Sequence, residues 1–182
     1  MKRNSLLTLL ENYSGESTTA AKLIDFVKVD VDCFERSNEG GHITASCWLV
    51  SRDGQRVLLT HHRKLNKWLQ PGGHCDGDSD VLRAALKEAR EESGIEEWEL
   101  VEEGVFDLDT HRIPARVNEP EHVHYDVRFL FRAVENEKYV VSHESHDLAW
   151  VEHGQLSDYT TEESMHRMSG KWQALVKLGV FA

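Results

Sequence analysis

The sequence predicts an α+β domain in which helices layer on a β-sheet. Three observations carry that expectation. Four segments place apolar residues at helical spacing, and five place them at strand spacing. The two kinds do not alternate in the regular manner of a parallel βα chain. The break Asn38-Glu39-Gly40-Gly41 then separates a helical stretch, 1–39, from a longer part, 40–182, that holds every expected strand.

The elements follow in order. Residues 4–12 and about 17–35 have helix-like apolar spacing and form the extension. The main part opens on a strand in which Ile43, Ala45, Cys47 and Leu49 alternate with Thr44, Ser46, Trp48 and Val50. Asp53-Gly54 signals a hairpin turn, and Arg56–Thr60 is the returning strand. Trp68 is expected in the core. Residues 79–93 read as a helix with Leu82, Ala85, Leu86 and Ala89 on one face. Asp78 or Ser79 suits its N-cap and Gly94 its C-terminal stop. Strands are expected at about 104–112 and 122–134. In the second, Val123, Tyr125, Val127, Phe129 and Phe131 share one face, and His124, Asp126 and Arg128 the other. Residues 147–152 form a short strand and 161–178 a closing helix, with Gly170 counting against its middle.

Composition narrows the function. The chain has 182 residues, 40% hydrophobic and 29% charged, which suits one globular domain with an extension. Its formal net charge of −11 argues against broad binding to nucleic acid or anionic membrane, and leaves room for a small phosphorylated ligand in a local basic pocket. Cys33, Cys47 and Cys75 are odd in number and make no disulfide framework, so a reducing, cytoplasmic setting is expected. The opening MKRNSLLTLLENY resembles a signal peptide only weakly, because Thr8 and Glu11 interrupt its apolar run. No stretch is long enough to span a bilayer. The oligomeric state is open; a homodimer is compatible with the sequence.

The chemistry concentrates in KEAREESG, residues 87–94. At about 100° per residue, Glu88, Glu91 and Glu92 project from one arc of the helix. Glu88 and Glu92 repel as an i,i+4 pair, and all three face the negative end of the helix dipole. A solvated, charge-rich helix with Lys87 paired to Glu91 is one reading. A hard divalent cation, which takes oxygen ligands and cancels the repulsion, is the other. The preceding loop favours the cation. Its glycines, in Pro71-Gly72-Gly73-His74, allow backbone carbonyls to approach an ion, and Asp76-Gly77-Asp78 turns into the helix. Upstream, His61-His62-Arg63-Lys64 is a basic run placed to meet phosphate. The eleven histidines show no HExxH or Cys/His zinc spacing, although His122 and His124 share a strand face.

Residues 73–95, GHCDGDSDVLRAALKEAREESGI, resemble the Nudix box. That pattern is Gly, five residues, Glu, seven residues, then Arg-Glu-U-x-Glu-Glu-x-Gly-U, with U aliphatic. Gly73, Glu88, Ala89, Glu91, Glu92, Gly94 and Ile95 match. Ser79 stands at the first glutamate, flanked by Asp78 and Asp80, and Lys87 stands at the arginine. The resemblance covers about 40–182 and implies a Nudix fold, a mixed sheet sandwiched between helices.

The resemblance also implies a reaction: hydrolysis of a pyrophosphate bond in a nucleoside diphosphate linked to another group. Mg²⁺ or Mn²⁺ would be held by Glu88, Glu91, Glu92 and the Gly72 carbonyl. Lys87 takes the place of an arginine that orients the helix glutamates, without its planar fork. The general base is Glu88 or an acid in a later loop ahead of a Trp-bearing strand. Glu144, six residues before Trp150, is favoured over Asp126, a strand aspartate suited to pairing with Arg128. His62, Arg63, Lys64 and Gly73 are the expected substrate contacts. Isopentenyl-diphosphate isomerases share the fold, but their cysteine precedes a Gly-His pair; here Gly72 stands there, and Cys75 lies beyond. A Nudix-fold sensor that binds a nucleotide without turning it over is the rival reading, supported by Ser79 and Lys87 alone.

Overall fold

The computed structural model describes residues 2–116 and 120–182. Among them lie helices α1 (Lys2–Glu11), α2 (Ser17–Val29), α3 (Val81–Ser93), α4 (Leu156–Tyr159) and α5 (Glu163–Lys177). The strands are β1 (Gly41–Val50), β2 (Arg56–His62), β3 (Lys67–Leu69), β4 (Gly72–His74), β5 (Trp98–Leu100), β6 (Asp107–Ile113), β7 (His122–Ala133) and β8 (Ser145–Glu152). They form one sheet of neighbour order β3-β2-β1-β7-β5, with β4 on β1, β6 on β7 and β8 on β2. The expected α+β class is what folds. The short strands β3, β4 and β5 escape the sequence reading because three residues show no periodicity.

The chain divides into two compact units. The first comprises Met1–Ser46, Gly73–Ala85 and Gly104–Phe129; the second comprises Cys47–Gly72, Leu86–Glu103 and Leu130–Ala182.

In the first unit, α1 and α2 bury Leu6, Leu10, Leu23 and Val27. Helix α2 stops at Val29, six residues short of the expected end. Asp30 is extended (φ −90°, ψ 116°) and its carboxylate accepts the Asp32 N–H at 2.9 Å. Arg3 donates to the carbonyls of Val27, Asp30 and Val31 at 2.6–2.8 Å, satisfying acceptors that the helix end leaves open. The extension joins the strands closely. Phe26 stacks on Tyr125 with centroids 4.0 Å apart, and the Ile43 N–H donates to the Cys33 carbonyl at 2.7 Å.

The β6–β7 hairpin pairs Asp107 with Arg128 and runs to Ile113 opposite His122. Its polar face is buried. Arg128, 2% exposed, donates to Asp126 (2.7 Å), Asp107 (3.0 Å) and Asp109 (3.0 Å). Asp126 also accepts from the hydroxyls of Thr44 and Ser46 at 2.8–3.0 Å. Burial works against the Asp126 charge, but Arg128 and the hydroxyl donors outweigh it and hold the carboxyl below its ordinary pKa. Asp126 is thus the pairing aspartate the sequence suggested.

In the second unit, β8 pairs with β2 along its length, from Arg56 opposite Glu152 to His62 opposite Ser145. The other edge of β2 is shared by β1 (Leu49 opposite Leu58) and β3 (His61 opposite Trp68). Trp48 and Trp172, 6.1 Å apart, are fully buried with Leu58, Leu59, Val151 and Met168. Trp68 is half-buried, stacked on His61 at 4.9 Å and edge-on to Tyr159. Its place on three-residue β3 keeps it out of the core. Gly170 lies inside α5 with nothing near its missing side chain, so the helix tolerates it.

Gly94 ends α3 as expected. Its φ is +68°, its N–H reaches the Arg90 carbonyl at 2.8 Å, and an added Cβ would meet Val140 at 2.8 Å. Left-handed strain costs about 1–2 kcal/mol for a residue with a side chain. Gly94→Ala should therefore lower unfolding stability by at least about 1 kcal/mol in urea melts, and an unchanged midpoint would contradict this cap geometry.

Candidate active site

Helix α3 begins at Val81, two residues later than expected. Asp80, rather than Asp78 or Ser79, serves as its N-cap: the Asp80 carboxylate accepts the Arg83 N–H at 3.2 Å, and its carbonyl accepts from Ala84 at 2.9 Å. Asp78 instead holds the Arg83 guanidinium at 2.6 and 2.8 Å. The apolar face buries Val81, Ala84, Ala85 and Ala89.

That anchoring sets three different environments for the three glutamates. Glu92 is 6% exposed, and its Oε1 accepts the Gly72 N–H at 2.7 Å. Burial pushes its carboxyl up to about 8, against the Gly72 N–H, which favours the charge; Glu88 and Glu144 add repulsion, and the Thr60 hydroxyl opposes it. Glu88 is largely buried. Desolvation raises its pKa, Lys87 lowers it, and Glu91 and Glu144 raise it further. Glu91 is exposed. Lys87 lies 3.1 Å from Glu91 and 3.6 Å from Glu88, so the lysine bridges the two.

The later loop is tied down from β2. Arg63 donates Nε to the His143 carbonyl at 3.0 Å and Nη2 to the Ser145 carbonyl at 2.7 Å. The Arg63 N–H donates to the Glu144 carbonyl at 2.9 Å. Thr60 and Ser145 join through their hydroxyls across the same two strands. These contacts hold Glu144 where its charge is felt at both Glu88 and Glu92, while its own side chain stays exposed. His62 is half-buried and accepts the Lys64 N–H through Nδ1 at 3.2 Å; Lys64 is exposed. Gly73, the other expected substrate contact, lies in β4 within the first unit.

The second unit thus brings Gly72, Glu88, Glu92 and Glu144 together and leaves Glu91, His62 and Lys64 at the outer side. The donor set fits a hard divalent cation. All its candidate ligands are oxygens, and the buried Glu92 carboxyl, pushed up to about 8, resists taking up a charge that a bound cation would offset. Sequence reasoning missed Thr60 and Ser145, whose hydroxyls carry no spacing signal, and missed the anchoring by Arg63, whose partners are backbone atoms. Cys75 is buried.

Comparison with known proteins shows the family and the fold. The sequence model of the NUDIX domain family matches residues 40–171. An Ap4A hydrolase from C. elegans, solved as a binary complex, shares the fold with a TM-score of 0.60 at 21% identity, over 74% of this chain and 97% of that one. A MutT protein from Methanosarcina mazei Go1 gives 0.55 at 17% identity, over 77% and 98%. A MutT NUDIX hydrolase from Burkholderia pseudomallei gives 0.51 at 26% identity, over 74% and 98%. No curated protein matches the chain in sequence. Among the described residues, no helix is long and apolar enough to cross a membrane.

Proposed function

The chain belongs to the Nudix family as a pyrophosphohydrolase, and from that premise we propose that it uses Mg²⁺, or Mn²⁺, to split a pyrophosphate bond in a nucleoside diphosphate linked to another group. The observation that carries this reading is the buried carboxyl of Glu92 against Gly72, with Glu88 and Glu144 beside it. We take 40–182 as the hydrolase domain and 1–39 as its helical extension, working in the cytoplasm on a small nucleotide-like substrate.

In this reading Glu88, Glu91, Glu92 and the Gly72 carbonyl hold the cation. When bound, the cation polarises phosphoryl oxygens and makes a water a better nucleophile. Glu144 accepts the proton from the attacking water, an assignment favoured by its exposure and by a loop fixed through Arg63. Glu88 is the alternative base. Lys87 keeps Glu88 and Glu91 oriented through a point charge. Lys64, His62 and the remaining Arg63 terminal nitrogen meet the substrate phosphates.

A panel of nucleotide sugars, dinucleoside polyphosphates, oxidised nucleotides and coenzymes tests the proposal, assayed with Mg²⁺ and Mn²⁺ and with ¹⁸O-water to locate the phosphorus attacked. Metal-dependent release of two phosphorylated products supports it. A ligand that binds and returns intact would instead make the protein a sensor.

The two basic residues should separate in kinetics. Lys64→Ala should raise KM with little change in kcat, as expected for uniform binding. Arg63→Ala should lower kcat as well, because it frees the loop bearing Glu144. Identical KM-only effects would remove the anchoring role from Arg63, and an unchanged KM in both would make the run plain surface.

A further inference from the structure

Five histidines gather in the first unit, none of them given a role in the proposed hydrolysis. His42 is the second residue of β1, His74 ends β4, and His122 and His124 lie in β7. The ring centroids of His42, His74 and His124 lie 4.9–5.2 Å apart pairwise. One ring nitrogen from each of these three lies within 4.8 Å of the others. His42 is 1% exposed. His122 stands 5.0 Å from both His42 and His124, and His111 is 5.4 Å from His124.

The hydrogen bonds fix which nitrogens carry hydrogen and which carry a lone pair. His122 Nδ1 meets the Pro120 carbonyl at 2.9 Å, and a carbonyl only accepts, so this Nδ1 carries hydrogen. In neutral His122, Nε2 is then an acceptor. It lies 3.1 Å from His124 Nε2, which must be the donor. That tautomer leaves the Nδ1 lone pair of His124 available. By the same reasoning, the long contact from His42 Nδ1 to the Asn38 carbonyl, 3.5 Å, directs the lone pair of His42 to Nε2. Desolvation and the neighbouring histidines hold His124 down at about 3, so the ring is neutral, the form that binds metal.

We propose that His42, His74 and His124 form a second metal site, for a borderline divalent transition ion, Zn²⁺ above all. Three imidazoles with an open fourth position are a zinc donor set, and Mg²⁺ does not compete for nitrogen. At a Zn–N length of about 2.0–2.1 Å, tetrahedral nitrogens stand roughly 3.4 Å apart, so nitrogens that lie within 4.8 Å close by up to about 1.4 Å on binding. His122 supports the site as the hydrogen-bond partner that orients His124. The ion ties β1, β4 and β7 of the first unit together and stabilises the fold by binding only its folded form.

The test uses the full chain, stripped with chelator and returned to buffer with excess Mg²⁺ to saturate carboxylates. Zn²⁺ retained after desalting is counted by elemental analysis, and Co²⁺ is added separately to read its visible spectrum. The expected result is one Zn²⁺ per chain and the intense cobalt bands of a tetrahedral, nitrogen-rich site. His42→Ala and His124→Ala should weaken Zn²⁺ binding by at least about 100-fold. His111→Ala and the Glu88→Gln/Glu92→Gln double variant should keep it. No retained Zn²⁺ in the wild type, a pale octahedral cobalt spectrum, or Zn²⁺ lost with the glutamates and kept in the histidine variants would overturn the proposal. Should a histidine variant fail to fold, the wild-type cobalt spectrum and the glutamate variant still decide.

Discussion

Glu92→Gln is expected to abolish most turnover while making the metal-free protein no less stable, and more stable at alkaline pH. The carboxyl sits at about 8 in the fold, against an ordinary value of 4.5. Below both values the group is protonated in folded and unfolded chains alike. Between them the unfolded chain releases the proton and the fold retains it, so wild-type stability should fall as pH rises from about 5 to 8. Glutamine has no proton to lose, and its side-chain oxygen still accepts the Gly72 N–H. The substitution also removes the repulsion with Glu88, about 0.2–0.5 kcal/mol for an i,i+4 pair. Saturating Mg²⁺ should restore the wild type at pH 8 and do little for the variant. A Lewis acid contributes several kcal/mol to such a transition state. At 1.36 kcal/mol per decade, turnover should fall by about 10²–10⁴-fold. Urea melts across pH, with chelator and with Mg²⁺, check the stability arm. A variant that melts below wild type in chelator at pH 8 would make Glu92 a structural partner of Gly72 and nothing more.

The second large effect is expected at Glu144. Glu144→Gln should lower kcat by about 10²–10⁴-fold, the usual contribution of a positioned base, and leave KM nearly unchanged. Its carboxylate is exposed and free to reach a water, and its main chain is fixed from Arg63. Turnover within a few-fold of wild type would shift the base to Glu88. A fall in kcat matched by an equal loss of Mg²⁺ affinity would make Glu144 a ligand rather than a base. Direct Mn²⁺ binding, read by electron paramagnetic resonance, separates the two.

The legible parts of the chain were those with a period or a fixed motif. Helix α3 declared itself through its apolar spacing, although Leu82 and Leu86 stay half-buried and Val81 and Ala84 join Ala85 and Ala89 in the core; its end was legible in Gly94 and its candidate site in the glutamates. Strand β7 was placed within a residue of its observed end, and β1 formed where its apolar pattern put it, with both faces buried. What the sequence could not express was competition for backbone atoms. The end of α2 is set by Arg3, which is far away in sequence and takes three carbonyls there. The N-cap fell to Asp80 because Asp78 had a stronger partner in Arg83. Burial was equally hidden. Glu88, Glu91 and Glu92 look equivalent as letters, yet one is deeply desolvated and one stands in water beside Lys87. The histidines of β1, β4 and β7 meet through sheet pairing, at separations no spacing rule describes.

The bonds from Arg63 to residues 143 and 145 end on main-chain oxygens. Every amino acid carries such an oxygen, so the anchoring by Arg63 is indifferent to what side chains the loop displays, and only the Ser145 hydroxyl, bonded to Thr60, adds a side-chain tie. His143, Glu144 and His146 can therefore be exchanged without changing where the loop sits. A fixed frame with replaceable contents is a favourable starting point for altering selectivity. Randomising positions 143 and 146 while keeping Arg63 and Glu144 would sample new leaving groups on an otherwise intact enzyme, whereas the same library built on Arg63→Ala would mix changes of chemistry with changes of shape.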